Sequence, residues 1–278
     1  MDIGLGAIRS SVDARDYQVV CTSEELPPTY QVPGNLPKVK SQGAVGSCVA
    51  HALSSILEYH EEQECGQYYR LSTDFIYGLQ REVSGRASSG MIMRDACKIA
   101  RNYGDTPYQY CSTNTEMPEA ANIAEAVLND KDATKYAEHY KVKSYARCYT
   151  TDAIKHAIME YGPCLAAIQW YKKYSIDELD RIHFSGEMSG GHAFMIYGWN
   201  GLGWLCQNSW GRWFGNDGRF ILPYEQGVRE CWSLVDADNE DIVVPARNTF
   251  LDYVYMFGNA LVNFFTAILK FFQSENKF

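Results

Sequence analysis

The chain changes rhythm near its middle, and that change narrows the folds open to it more than any other feature. After Cys48, apolar residues Val49, Ala52, Leu53, Ile56 and Leu57 recur at helical spacing, and Thr73 to Glu82, Met93 to Asn102 and Glu119 to Asn129 also read as helices. From Tyr140 to about Val235 short apolar strand patterns take over, interrupted by a helical segment near Asp152 to Tyr161 that Thr151 is placed to cap. Helices first and strands second predict an α+β protein. The expected domain spans 39–240, with a helical lobe over about 41–135, a β lobe over about 136–240 and a ligand groove between them. At 278 residues the chain is long enough for such a bilobed unit around a buried core.

Short motifs far apart carry the chemistry. Gln42-Gly43-Ala44-Val45-Gly46-Ser47-Cys48 opens the first helical pattern, Gly191-His192-Ala193 opens an apolar strand pattern, and Gln207-Asn208-Ser209-Trp210 follows another strand, Trp204 to Cys206. Together they offer the parts of nucleophilic acyl transfer by cysteine. An unperturbed thiol, with a pKa of about 8.5, is mostly protonated at neutrality, so Cys48 needs help to ionise. A helix N-terminus with Ser47 as its N-cap supplies unpaired N–H groups and the positive end of the dipole. A histidinium partner, His192, supplies the rest. The side-chain oxygen of Asn208 is suited to accept the second ring N–H and fix the tautomer. The side-chain amide of Gln42, with the Cys48 backbone N–H, suits an oxyanion hole. His51, His60, His139, His156 and His183 read as ordinary structural histidines; His51 lies three positions along the helix from Cys48 and points along its surface.

These residues resemble the papain-like cysteine peptidase family over most of 40–235. Carrying the resemblance are the Gln42 to Cys48 spacing, Ser89-Gly90, Tyr161-Gly162-Pro163 before a strand, Gly191-His192-Ala193 and Gln207 to Gly211. It implies a two-lobed fold, a helical lobe facing a twisted antiparallel sheet or barrel. It implies a cysteine endopeptidase working through a Cys48 thioester, with His192 as general acid and base, Asn208 and Gln42 in the roles above, and Trp210 shielding the Asn208–His192 bond. It also places Gly90 and Gly191 against an extended peptide, and Met91, Ile92, Ala167 and Ala193 near the pocket for the second residue before the scissile bond. That lining is small or apolar, which predicts an aliphatic or aromatic preference with no acidic residue in the pocket. Val45, Val49 and Phe214 depart from the family pattern, at positions where relatives carry a structural cysteine and two tryptophans. The chain therefore looks more like bacterial or viral members. The same chemistry serves isopeptidases and acyl transferases, and a peptide-binding protein without activity is the reading from another class; the complete set Gln42, Cys48, His192 and Asn208 argues against the latter.

Residues 1–38 carry Pro27, Pro28, Pro33 and Pro37 and little periodicity, which suits an extended arm. Asp13 to Tyr17 resembles the short N-terminal segment of bacterial relatives. Two readings of the arm stand side by side: it lies on or near the cleft and restrains access, so that deleting residues 1–30 raises activity, or it packs on the back of the domain. The charge-rich Ser175 to Ser189 is placed to restrict one end of the groove, and its ordinary reading is a solvated loop. Within the tail, 241–278, Phe250 to Phe272 winds into a mostly apolar helix whose polar stripe runs from Asp252 to Gln273, suited to docking, a homodimer seam or membrane association over about 248–273.

The net charge of −9, from 25 basic and 34 acidic residues, comes with no basic cluster near the motifs, so nucleic acid is not expected as a partner. The expected partner is a polypeptide substrate, and no metal or cofactor is expected. Of the nine cysteines, Cys97, Cys164 and Cys206 lie within apolar patterns and read as packed, reduced thiols. With no secretory signal visible at Met1 to Gly6, a cytoplasmic or other reducing compartment is favoured, with membrane association through the tail left open.

Overall fold

Helix α1 (Cys48–Cys65) is the element around which the rest is arranged. In the computed structural model, which describes residues 4–21, 25–85, 89–111 and 131–236, every residue of α1 from Cys48 to Glu61 is buried. The expected helix at Glu119 to Asn129 and the tail 241–278 lie outside the described residues. An apolar stripe accounts for only one face of α1. The other faces can be covered because their polar groups find partners. Glu58 accepts from Lys40 Nζ at 2.9 Å, from the Leu71 N–H at 2.8 Å and from the Tyr68 hydroxyl at 3.2 Å. A buried carboxylate stripped of such partners costs several kcal/mol. The helix stops at Gly66, which takes φ +68° and donates its N–H to Glu62 O; a side chain is disfavoured in that left-handed conformation.

Helices α2 (Thr73–Ser84) and α3 (Met93–Asn102) pack beside α1, and a short α4 (Lys131–Ala137) follows. Helix α1 also meets a seven-stranded sheet. Its main order is β4 (Val142–Arg147), β9 (Glu230–Asp236), β5 (Cys164–Ile176), β6 (Ile182–Asn200), β7 (Gly203–Gln207) and β8 (Arg219–Leu222), with β2 (Tyr30–Gln31) paired to β6. The pairings are antiparallel throughout. The fold is thus α+β, a group of helices against an antiparallel sheet, as expected. Outside this sheet, β1 (Ala7–Ile8) of the arm pairs in parallel with β3 (Met91–Ile92).

Three local expectations need correction. Ser47 does occupy the N-cap position of α1, but its hydroxyl makes no capping bond and instead meets His51 Nδ1 at 3.2 Å. Helix α5 (Thr151–Tyr161) is capped by Thr150, not Thr151: Thr150 has extended backbone and its Oγ1 accepts the Ala153 N–H at 3.1 Å. Ser175 to Ser189 is no solvated loop. It is the end of a long β5–β6 hairpin, with Tyr174 opposite Phe184 and Ile176 opposite Ile182. Tyr174 and Phe184 both pack edge-on against Trp170, at ring separations of 5.5 and 4.7 Å, while Lys172 and Glu187 pair at 2.6 Å on exposed positions. The strand period was hidden by those charges.

Candidate active site

Cys48 is the first residue of α1, with no acidic side chain in the first turn to compete for the open N–H groups. Main-chain N–H groups near its sulfur, those of Val49, Ala193 and Gly6 among them, favour the thiolate. Ala193 follows His192 on β6, so the thiol from the helices lies along the strand stretch that carries the imidazole. His192 is fully buried, and its Nε2 lies 2.7 Å from Asn208 Oδ1.

That contact decides the tautomer. The Ser209 N–H also donates to Asn208 Oδ1, at 2.8 Å, which identifies the atom as the amide oxygen, an acceptor only. Nε2 must then carry a proton. His192 Nδ1 is left with its lone pair, buried and without a hydrogen-bond partner. Trp210 stacks obliquely over the ring at 4.5 Å and Trp170 meets it edge-on at 4.9 Å, so water is kept from the Asn208 bond on both sides. Trp210 lies where the sequence placed it; Trp170 was not anticipated.

Gln42 is buried beside this pair. Its backbone N–H donates to Ser209 O at 2.9 Å, and its Oε1 accepts from the Ser209 hydroxyl at 2.7 Å. With the oxygen thus fixed, Nε2 points its two hydrogens elsewhere, to Val45 O at 2.7 Å and to Gly4 O at 2.8 Å. Gly4 belongs to the N-terminal arm.

The arm runs through the site. Gly4 N–H donates to Gly43 O at 3.2 Å, Gly6 N–H to Gly191 O at 3.1 Å, and Met91 N–H to Gly6 O at 2.7 Å; Ala7 and Ile8 then pair with Met91 and Ile92. Glycine is required here by distance. A Cβ on Gly6 would stand 1.9 Å from Gly46 O, and one on Gly4 would stand 2.1 Å from Val45 O. Further along, Ser10 N–H donates to Glu230 Oε2 at 2.9 Å, and Asp16 pairs with Arg94 at 2.5 Å and with Arg147 at 3.8 Å, all three largely buried.

The structure therefore brings Gln42, Cys48, His192, Asn208, Gly191, Ala193 and Trp210 together, and sets Met91 and Ile92 against the same arm, directly after Gly90. Ala167 lies across β5–β6 from Ala193, and on its other side it pairs with Glu230 of β9. A buried carboxylate thus stands beside Ala167 in the sheet. Both its oxygens are engaged, one with Ser10 N–H and the other with Trp232 Nε1 at 2.7 Å.

A family model for the papain family cysteine proteases matches residues 29–233. The chain belongs to that family.

The papain-family chain is 31% identical over 141 residues to cathepsin B-like cysteine proteinase 3 of Caenorhabditis elegans, a match covering 46% of this chain and 37% of the relative. It is 26% identical over 228 residues to the viral cathepsin of Adoxophyes honmai nucleopolyhedrovirus, covering 75% of this chain and 60% of that protein. It thus spans less than two thirds of these curated relatives. Among solved structures, xylellain, a cysteine protease from Xylella fastidiosa, superposes with a TM-score of 0.71 at 25% identity, covering 85% of this chain and 97% of that one.

The electrostatics of this papain-family site follow from how dry it is. Burial pushes the Cys48 thiol up to about 11, despite the backbone N–H groups that favour thiolate. Burial likewise lowers His192 to about 4, against the opposing effect of its Asn208 bond. Between those values both groups are neutral while the arm is seated. The arrangement stores a thiol, a lone-pair nitrogen and an amide donor, with no charge separated yet.

Proposed function

We propose that this chain is a cysteine endopeptidase held in a resting state by its own arm. The single observation that carries the reading is the Gln42 amide, six residues before the helix-terminal Cys48: its Nε2–H already donates to a peptide carbonyl oxygen, that of Gly4. A substrate carbonyl would take the same position.

The steps then follow. With the arm displaced and water admitted, the penalty for charge falls, and the Cys48 S–H proton passes to His192 Nδ1. The thiolate sulfur attacks the substrate carbonyl carbon, and the oxygen takes the negative charge in the hole formed by Gln42 Nε2 and the Cys48 N–H. Collapse breaks the C–N bond, and the imidazolium returns its proton to the leaving amine. Water, deprotonated by the same imidazole, then hydrolyses the thioester and regenerates the thiol. Asn208 holds the ring through Nε2–H throughout.

Recognition rests on main chain. Gly90 to Ile92 and the Gly191 carbonyl pair with an extended backbone, the role the arm plays at rest. The neighbouring Ala167, Ala193 and Met91 favour an aliphatic or aromatic side chain; Glu230 is committed to Trp232 and the arm, and a profile led by arginine would show that its carboxylate sets the preference instead. Labelling with an epoxysuccinyl peptide probe and turnover of fluorogenic peptides, in the intact chain and in Cys48→Ala, test the reading. Folded, arm-displaced protein that neither labels at Cys48 nor hydrolyses peptides would overturn it.

A further inference from the structure

Away from the cleft, Cys148, Cys164 and Cys231 converge. Their three sulfurs all lie within 4.8 Å of one another and all three residues are buried. They come from different elements. Cys148 directly follows β4, Cys164 opens β5, and Cys231 is the second residue of β9, the strand between those two in the sheet. The Cys148 N–H donates to Cys231 O at 3.0 Å, which fixes the first pair. Helix α5 occupies most of the chain between Cys148 and Cys164, so the sulfurs close both ends of that crossover onto β9.

We propose that these residues form a three-thiolate site for a thiophilic d10 cation, Cu(I) or Zn(II). Thiolates bound about 2.3 Å from a central ion stand roughly 3.8–4.0 Å apart, within the spacing already present. Soft sulfur donors select these ions over hard cations such as magnesium or calcium. A disulfide uses two sulfurs and gives the third no role; a trigonal ion uses all three. Among the described residues no other group of three or more ligating side chains converges in this way, and the buried Cys97 and Cys206 belong to none.

A second observation points to the same place. Ser233 shares the Cys231 face of β9, two residues on, and its hydroxyl is fully buried with no hydrogen-bond partner. The hydroxyl is available as a fourth donor for Zn(II), directly or through water; Cu(I) needs none. Binding forms three metal–sulfur bonds and releases three thiol protons to solvent.

The test uses the full chain carrying Cys48→Ser, which removes the active-site thiol. After reduction, incubation with one equivalent of Zn(II) or of Cu(I), and desalting, elemental analysis should return about one equivalent of ion. That content should fall at least tenfold in Cys164→Ala and Cys231→Ala and persist in Cys206→Ala. Which ion is retained distinguishes the zinc from the cuprous site. If the alanine variants fail to fold, cadmium NMR of the chain without them replaces that comparison, and a resonance in the sulfur-rich range is then expected. Retention below a tenth of an equivalent, retention indifferent to Cys164, a cadmium shift typical of oxygen ligands, or the mass loss of a disulfide between two of the three in protein purified without oxidant would each overturn the site.

Discussion

Adding one carbon to the arm should switch the protein toward its active state. In Gly6→Ala the new Cβ would fall 1.9 Å from Gly46 O, a backbone atom on the rigid approach to α1, so the arm has to lift there. Four hydrogen bonds hold Gly4 and Gly6: the Gly4 N–H to Gly43 O, Gln42 Nε2 to Gly4 O, the Gly6 N–H to Gly191 O and the Met91 N–H to Gly6 O. At a net of about 1 kcal/mol each they favour the seated arm by about 4 kcal/mol, an open fraction on the order of 10⁻³. Lifting Gly6 breaks its own two, about 2 kcal/mol, and raises the open fraction roughly 30-fold. The assay is kcat/KM on a fluorogenic peptide, with intact mass confirming that the arm has not been cut off. Gly201→Ala is the control, since a Cβ there meets nothing within 4 Å. Point substitution is preferable to deleting residues 1–30, because that deletion removes Asp16 and leaves Arg94 and Arg147 without their buried partner. Activity of Gly6→Ala within twofold of the unsubstituted chain, at unchanged melting temperature, would refute the reasoning that the arm limits turnover.

Gln42→Ala should reduce kcat by about 10²–10³-fold in arm-displaced protein with little change in KM, since one oxyanion donor is lost; an equal effect on KM alone would place Gln42 in binding instead. Asn208→Ala should lower kcat and broaden its pH profile on the acid side, because Nε2 loses the acceptor that fixes its proton, and nitrogen NMR of His192 should show mixed tautomers. Burial raises Asp105 to about 8, with Oδ1 accepting the Thr106 N–H and Oδ2 unpartnered. The folded state therefore holds a proton that the unfolded chain releases near its ordinary value, and the associated stability is lost as pH climbs toward 8. Buried His51 and His192, lowered to about 3 and about 4, act in the opposite sense only below about 6.5. The Asp105 contribution to stability should thus fall by about 2 kcal/mol from pH 6.5 to 8, at about 1.4 kcal/mol per pH unit, and Asp105→Asn should remove that component of the pH dependence in denaturant titrations.

The parts of this fold that were legible in the sequence are those whose signal is local. The helical stripe after Cys48 and the strand patterns around His192 and Cys206 announce themselves within a dozen residues, and the motifs at Gln42, Gly191 and Gln207 are short. Where a feature depends on register between distant segments, the sequence is mute. Glu230 stands beside Ala167 only because β9 pairs with β5, more than fifty residues earlier, and the convergence of Cys148, Cys164 and Cys231 has the same origin. The path of the arm was hidden for a different reason: Gly4 to Gly6 bind mostly through main-chain atoms, which leave no side-chain pattern to read. The choice of Thr150 over Thr151 as cap turned on one residue's backbone conformation, below the resolution of any periodicity.

The loop that follows β7 reaches further than its single bond to the imidazole indicates. Asn208 N–H is tied to Gly218 O, the Gly211 N–H to Lys40 O, and the Ser209 hydroxyl to Gln42, so one short segment grips both the base and the oxyanion donor. In the proposed mechanism, proton placement and charge acceptance are accordingly set by a common frame. A disturbance at its edge, at Gly218 or Lys40, should register in both at once, and the two halves of the reaction cannot be tuned independently without rebuilding that turn.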